Sequence, residues 1–144
     1  MSLLLAVLAV ALFALFDYIG YNTLGRQDLP FYRKVEFAVG VGFVLVLGLE
    51  SLWAALMAAV LWWFFWCDLV YYAWAHLLKL WPAEVDSFQH EVQGNLVYWA
   101  WWTPVGLLMG RAKDRSKPIS GLILLIQAGI GAVVVICIQL FAIG

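Results

Sequence analysis

The chain has 144 residues, of which 66% are hydrophobic and 12% charged, with a net charge of −1 and a mean hydropathy of +0.95. Water-soluble domains hold roughly 45–50% apolar and about 25% charged residues, so this chain lacks the means to cover a soluble surface and reads as an all-α integral membrane protein, its helices burying apolar surface in lipid and in each other. The charge balance gives no basic footprint and excludes nucleic acid as a partner, while Cys67 and Cys137, far apart in apolar runs with no CxxC spacing, exclude a disulfide framework and a cysteine metal cluster.

Ser2 to Leu24 reads as a first spanning helix. A secretory signal would need a basic n-region and a small-residue cleavage site, and no Lys or Arg precedes Arg26, so a span is preferred to a cleaved leader. Gly25 to Pro30 is a connector in which Asp28 caps the next helix and Pro30 sits in its first turn. Pro30 to Gly48 covers about 28 Å at 1.5 Å per residue, which matches a hydrocarbon core of about 30 Å. Gly48 with Leu49 has the pattern of a glycine C-cap, and Ser51 caps a third helix running from Leu52 to Leu80, where Pro82 stops it.

The most polar stretch, Ala83 to Asn95, leads into the apolar run Leu96 to Gly110, and the two read as one helix whose first turns stand clear of the lipid. Arg111 to Pro118 is a basic loop, and Ile119 to Ile143 is a final span. The expected architecture is therefore one transmembrane domain over residues 1–144, a bundle with helices at about 2–24, 30–48, 52–80, 84–110 and 119–143. Its long central hairpin protrudes at one interface. Span length and cap signals favour five spans, which split the basic residues evenly between the two sides. The positive-inside rule favours four, with seven basic residues on one side and one on the other.

All nine tryptophans fall between Trp53 and Trp102, a pattern that suits an interfacial aromatic belt or a stacking pocket for a flat ligand. In the third helix Asp68, Tyr72, His76 and Lys79 recur at helical spacing on one face, and in the fourth Asp86, His90 and Gln93 do the same. A reversal at Pro82 and Ala83 would set His76 against His90, Lys79 against Asp86 or Ser87, and Tyr72 against Gln93 or Gly94. Three readings of this seam stay open. It is a hydrogen-bonded polar stripe that registers the hairpin. Alternatively it is a site for a transition metal or haem, with His76 and His90 as nitrogen ligands and Asp68, Asp86, Glu84 or Glu91 as oxygen donors. The third reading is a proton-handling or ligand-binding pocket, with His76, His90 and Asp68 as candidate catalytic groups and Tyr72, Trp74, Gln93 and Trp99 as its lining.

The run CDLVYYAWAH, followed after His76 by the HEV of His90 and Glu91, resembles the first two histidine boxes of the membrane fatty-acid hydroxylase and sterol desaturase family. Asp68, Tyr71, Tyr72, Trp74, His76, His90 and Glu91 carry the likeness over about thirty residues. Leu80 stands where the first box of that family has a second histidine, and Gln93 and Gly94 stand where the second box has paired ones. A di-iron centre of that kind needs many more histidines than two, so its activity does not carry over.

Among the other acids, Glu36 lies beside Arg33 and Lys34 and is expected to pair at the interface. Glu50 is expected in the turn between helices two and three, and Asp17 either snorkels or faces the bundle. The small pairs Ala38/Gly42 and Ala128/Ala132 mark packing faces. The functional expectation is a multi-pass protein that binds a lipid-soluble or small ligand at the seam around His76 and His90, alone or as an accessory subunit. The alternatives are a membrane-embedded metal- or haem-dependent enzyme acting on a lipid-soluble substrate, and a small oligomeric transporter or channel lined by Asp17, Glu50 or Asp68. The expected partners are membrane lipids, further copies of the chain or a larger membrane complex.

Overall fold

An apolar run without a proline before Pro30 forms α1 (Ser2–Gly20), which continues into one π-helical turn at Tyr21–Gly25. Its small residues Ala6, Ala9 and Ala14 are buried with Val10, Phe13 and Tyr18, while Leu4, Leu8 and Leu12 on the other face are exposed. α1 is thereby the central strut, packed by α2 (Leu29–Glu50), α3 (Leu52–Trp63) and α4 (Trp66–Leu78). The computed structural model describes residues 1–144 apart from the side chain of Glu84, and among the described residues it is all-helical, with a single isolated bridge between Val97 and Ile119.

The expected cap of α2 is formed: Asp28 accepts from the Phe31 amide at 3.1 Å, and Pro30 lies in the first turn. Ser51 ends α2 and caps α3 by accepting from the Ala54 amide at 3.2 Å. Its hydroxyl also meets that of Ser2 at 3.0 Å, which fixes the C-terminal end of α2 beside the N-terminal end of α1.

Two expected helices are broken. The helix anticipated over 52–80 splits at Phe64 and Phe65, and α4 leaves α3 at 74°. No proline or glycine marks the break. Phe65 takes a left-handed φ of 78°, a conformation unfavourable for a bulky residue, and is fully buried among Val97, Ala100, Ile119 and Leu124. Burying this side chain offsets the backbone cost. The helix anticipated over 84–110 becomes α5 (Pro82–Gln93), a 3-10 turn (Trp99–Trp102) and α6 (Pro104–Leu108). Gly94 and Asn95 end α5, with Asn95 at a left-handed φ of 56° that asparagine tolerates well. Thr103 then caps α6 by accepting from the Gly106 amide. The chain closes with α7 (Gly121–Ile143).

Two helices are long and apolar enough to cross a membrane, α1 with its π turn and α7; the bent α3–α4 pair makes a third if it is one broken span. That is fewer than the four to five spans expected. α2 has the length, but Arg33, Lys34 and Glu36 leave only Phe37 to Leu49 uncharged, about 20 Å of helix against a hydrocarbon core of about 30 Å.

The helices also sort the charges. Val135 of α7 shares a core cluster with Ala6 and Ala9 of α1 and Ala54 of α3, with Leu3 and Ile138 packed against it, so α7 ends where α1 begins. At the other end α1 runs out at Arg26, α2 begins near Arg33 and Lys34, and Trp81, just after Lys79, meets Tyr18 edge to face. There too lies the loop before α7, with Arg111, Lys113, Arg115 and Lys117. All the basic residues thus lie toward one end, where an even split between two sides was the five-span expectation. The reason is that the run expected to span over 84–110 breaks into α5, the 3-10 turn and α6, so the Arg111–Lys117 loop is not carried away from the end that holds Arg26 and Lys79.

Candidate functional site

α4 and α5 form the expected hairpin, but in a different register. α4 ends at Leu78, and Lys79 takes a left-handed φ of 52°, its amide bonded to the Ala75 carbonyl at 3.0 Å. The chain therefore reverses through Lys79–Trp81 and not at Pro82–Ala83. Tyr72 consequently meets Phe88 and not Gln93 or Gly94, the two rings stacking at 4.6 Å and 16°. Phe88 continues the stack to Trp99 at 5.8 Å, and Trp99 lies over Phe65 at 5.8 Å. The Trp99 Nε1 donates to Glu91 at 2.6 Å, and the Ser87 hydroxyl donates to the same carboxylate at 3.3 Å. An aromatic platform of Phe65, Tyr72, Phe88 and Trp99 thus holds α4, α5 and the 3-10 turn together, and its rings add stacking energy of about 0.5–1.5 kcal/mol per pair to their burial.

Beside this platform Tyr72, Ala73, His76, Leu77 and Lys79 line an open groove. The Tyr72 and His76 rings stand 6.3 Å apart, and Leu77 and Leu80 are exposed next to them. His76, Lys79, Asp86, His90 and Gln93 are all exposed. Among the described residues no hydrogen bond or ion pair joins His76 to His90, and no group of three or more His, Cys, Asp and Glu side chains gathers in a metal-binding arrangement. The side chain of Glu84, one of the expected oxygen donors, lies outside the described residues.

The expected ligand lining separates. Tyr72 and Trp99 belong to one platform through Phe88, and Gln93 points away into the open. Trp74 faces α1, its Nε1 donating to the Ala11 carbonyl at 2.9 Å. Other tryptophans act likewise as ties between elements: Trp63 Nε1 donates to the Trp102 carbonyl at 3.0 Å and Trp66 Nε1 to that of Ala128 at 2.8 Å. Trp101 has the Arg115 guanidinium 3.8 Å over its ring, which anchors the basic loop. Within that loop the Ser116 hydroxyl and amide both donate to Asp114, and these bonds hold its carboxyl below the usual carboxylate range.

A second polar cluster lies at the junction of α1, α2 and α4. The buried Tyr32 hydroxyl donates to Asp17 Oδ1 at 2.5 Å and approaches the Asp17 carbonyl at 3.2 Å. Arg33 pairs with Glu36 at 2.7 Å, as expected for the interface. The buried Asn22 amide donates to the Tyr18 carbonyl at 2.9 Å and to the Tyr71 hydroxyl at 3.1 Å, and its oxygen accepts from Arg26 at 2.9 Å. The π turn contributes here, because its shifted register frees carbonyls for such bonds, as Thr23 does with Ile19 at 2.8 Å. Asp68 is on the α1 side of the hairpin and not in the seam with His76: its Oδ2 has no accessible surface and no partner. Glu50 is exposed at the end of α2.

Tyr18, Asn22 and Tyr32 were not among the expected site residues. A signal for them existed in the spacing of Asp17, Tyr18, Tyr21 and Asn22 inside an apolar helix, where polar residues are costly and rarely idle. No family model matches the chain, and no curated protein or solved structure does so either.

Proposed function

We propose that the chain is a multi-pass membrane protein that binds an amphiphilic, lipid-soluble ligand at the α4–α5 hairpin, in the manner of a binding or accessory subunit. One observation carries this reading: the groove brings the polar tips of Tyr72, His76 and Lys79 to one opening with the apolar Ala73 and Leu77. A ligand there meets a cation and an imidazole at its head, with exposed Leu77 and Leu80 along its tail. Such a pairing fits an anionic headgroup on an acyl chain, since charge-assisted hydrogen bonds supply orientation and the apolar flank supplies area.

The surroundings support a membrane setting. Leu122, Ile126, Ile130 and Val133 of α7 and Phe37, Leu45 and Val46 of α2 are exposed apolar side chains, which lipid would cover. With the basic residues at one end, the positive-inside rule places that end, and the groove near it, on the cytoplasmic side.

Native mass spectrometry of the detergent-purified protein, offered phosphatidylglycerol, tests the reading. The wild type retains the lipid, and the double variant His76→Ala, Lys79→Ala retains it about tenfold less, the consequence of losing an ammonium and a hydrogen-bonding imidazole. Equal retention by both proteins would remove the groove as the binding site.

A further inference from the structure

Cations outnumber acids most strongly in the loop before α7. It holds Arg111, Lys113, Arg115 and Lys117 against Asp114, the only acid after Glu91 in a chain whose net charge is −1. Lys117 reaches Asp114 at 3.7 Å, and Ser116 already donates to that carboxylate from its amide and its hydroxyl. Arg111 and Lys113 enter no ion pair among the described residues. The array is held in shape. Gly110, at a left-handed φ of 70°, turns the chain, and its carbonyl accepts from the amides of Lys113 at 3.1 Å and Asp114 at 3.2 Å. The Arg111 amide bonds back to the Gly106 carbonyl at 2.8 Å, and Arg115 lies on the Trp101 ring. Directly before the cations stand Leu107, Leu108 and Met109, all exposed, Leu108 to 87%. Directly after them come Pro118 and, at Gly121, the start of the α7 span.

We infer that residues 104–118 bind an anionic bilayer surface: Leu107, Leu108 and Met109 enter the acyl region, while the four cations of the loop take the phosphates of lipid headgroups. Charge complementarity selects this occupant, because guanidinium and ammonium groups donate charge-assisted hydrogen bonds to phosphate, and basic residues next to a span add their attractions to an anionic leaflet. The apolar triplet beside them gives the same segment a face that water does not cover favourably and acyl chains do. Trp101 under Arg115 has the ring that headgroup depth favours. The inference needs the membrane setting proposed above but none of the residues of the α4 groove.

The test places an environment-sensitive fluorophore (NBD) on the thiol of Ala112→Cys, in the full chain with Cys137→Ser, Cys67 being buried. The protein is reconstituted in phosphatidylcholine liposomes with and without phosphatidylglycerol. Emission is expected at shorter wavelength with phosphatidylglycerol, and it returns to the phosphatidylcholine value at about 1 M salt, where the screening length falls to about 3 Å. Replacing Arg111, Lys113, Arg115 and Lys117 together by Gln abolishes the shift. Lys113→Gln with Lys117→Gln, which keeps Arg115 on Trp101 and so the shape of the loop, reduces it, and His76→Ala, Lys79→Ala leaves it intact. Equal emission in the two lipids would overturn the inference, as would a shift that survives the fourfold substitution. So would a shift lost in His76→Ala, Lys79→Ala, which would assign it to the groove, or the same shift produced in phosphatidylcholine by glycerol phosphate in solution, which would make free phosphate the ligand. A chain that fails to float with its liposomes contradicts the membrane setting and the inference with it.

Discussion

Gly131 of α7 lies so close to Phe64 that a Cβ added to it would stand 2.5 Å from the Phe64 Cβ. The break between α3 and α4 is thus seated in a notch on α7, and the fully buried Phe65 beside it is driven into the core under the aromatic platform. The notch and the platform belong to one arrangement, because the direction of α4, and with it the groove, follows from the bend.

Gly131→Ala therefore lowers stability by about 1–3 kcal/mol, the range for forcing a methyl group into a filled core, and Gly131→Leu costs more. Gly129, two residues earlier, has nothing within 4 Å of such a Cβ, so Gly129→Ala leaves stability unchanged or slightly raised. Thermal melting in detergent, followed by the loss of monodisperse protein, compares the two. Equal effects would mean that the notch does not hold the bend.

Tyr32 is fully buried and its hydroxyl ties α2 to Asp17 on α1. Tyr32→Phe keeps the ring and strips the carboxylate of its donor, at a cost of about 1–3 kcal/mol for a buried group left unsatisfied. Asp17→Asn retains an acceptor for the hydroxyl and costs less. The same melting measurement ranks them, and a larger loss in Asp17→Asn would contradict this order.

The gathering of basic residues at one end makes the orientation testable. In a Cys137→Ser background, a cysteine at Ser116 in the basic loop labels with a membrane-impermeant maleimide only from the cytoplasmic side, and one at Ser2 only from the opposite side. Labelling of both from one side would contradict the antiparallel packing of α1 and α7 across the membrane.

Much of the architecture was legible in the residues, for reasons that are local. Asp28, Pro30 and Ser51 have the side chains that satisfy free helix amides, and each forms the expected cap. Gly94–Asn95 and Thr103–Pro104 are turn and cap signals of the same kind. They were outweighed by the apolar run from Leu96 to Gly110, which continues a helix in hydropathy and not in conformation. The bend at Phe64–Phe65 has no local mark, since it depends on Gly131, far along the chain. From that bend follows the broken helix over 52–80, whereas the one-sided charges follow from the break of the 84–110 run at Gly94–Asn95 and Thr103–Pro104. The seam was legible in part: spacing puts Tyr72 and His76 on one face, but a reversal at Lys79–Trp81 in place of Pro82–Ala83 gives Tyr72 an aromatic partner and leaves His90 and Gln93 in the open. Spacing sets Asp68 on the stripe with Tyr72, whereas its Oδ2 is buried on the side of α1.

Site-resolved photocrosslinking shows whether an amphiphile occupies the groove of α4. A phosphatidylglycerol analogue with a photoreactive group near its headgroup is expected to attach to residues between Tyr72 and Lys79 and to Phe88, with attachment reduced about tenfold in His76→Ala, Lys79→Ala. Adducts spread along the exposed faces of α2 and α7, with none on the hairpin and no response to the double substitution, would mean that the groove binds no such lipid.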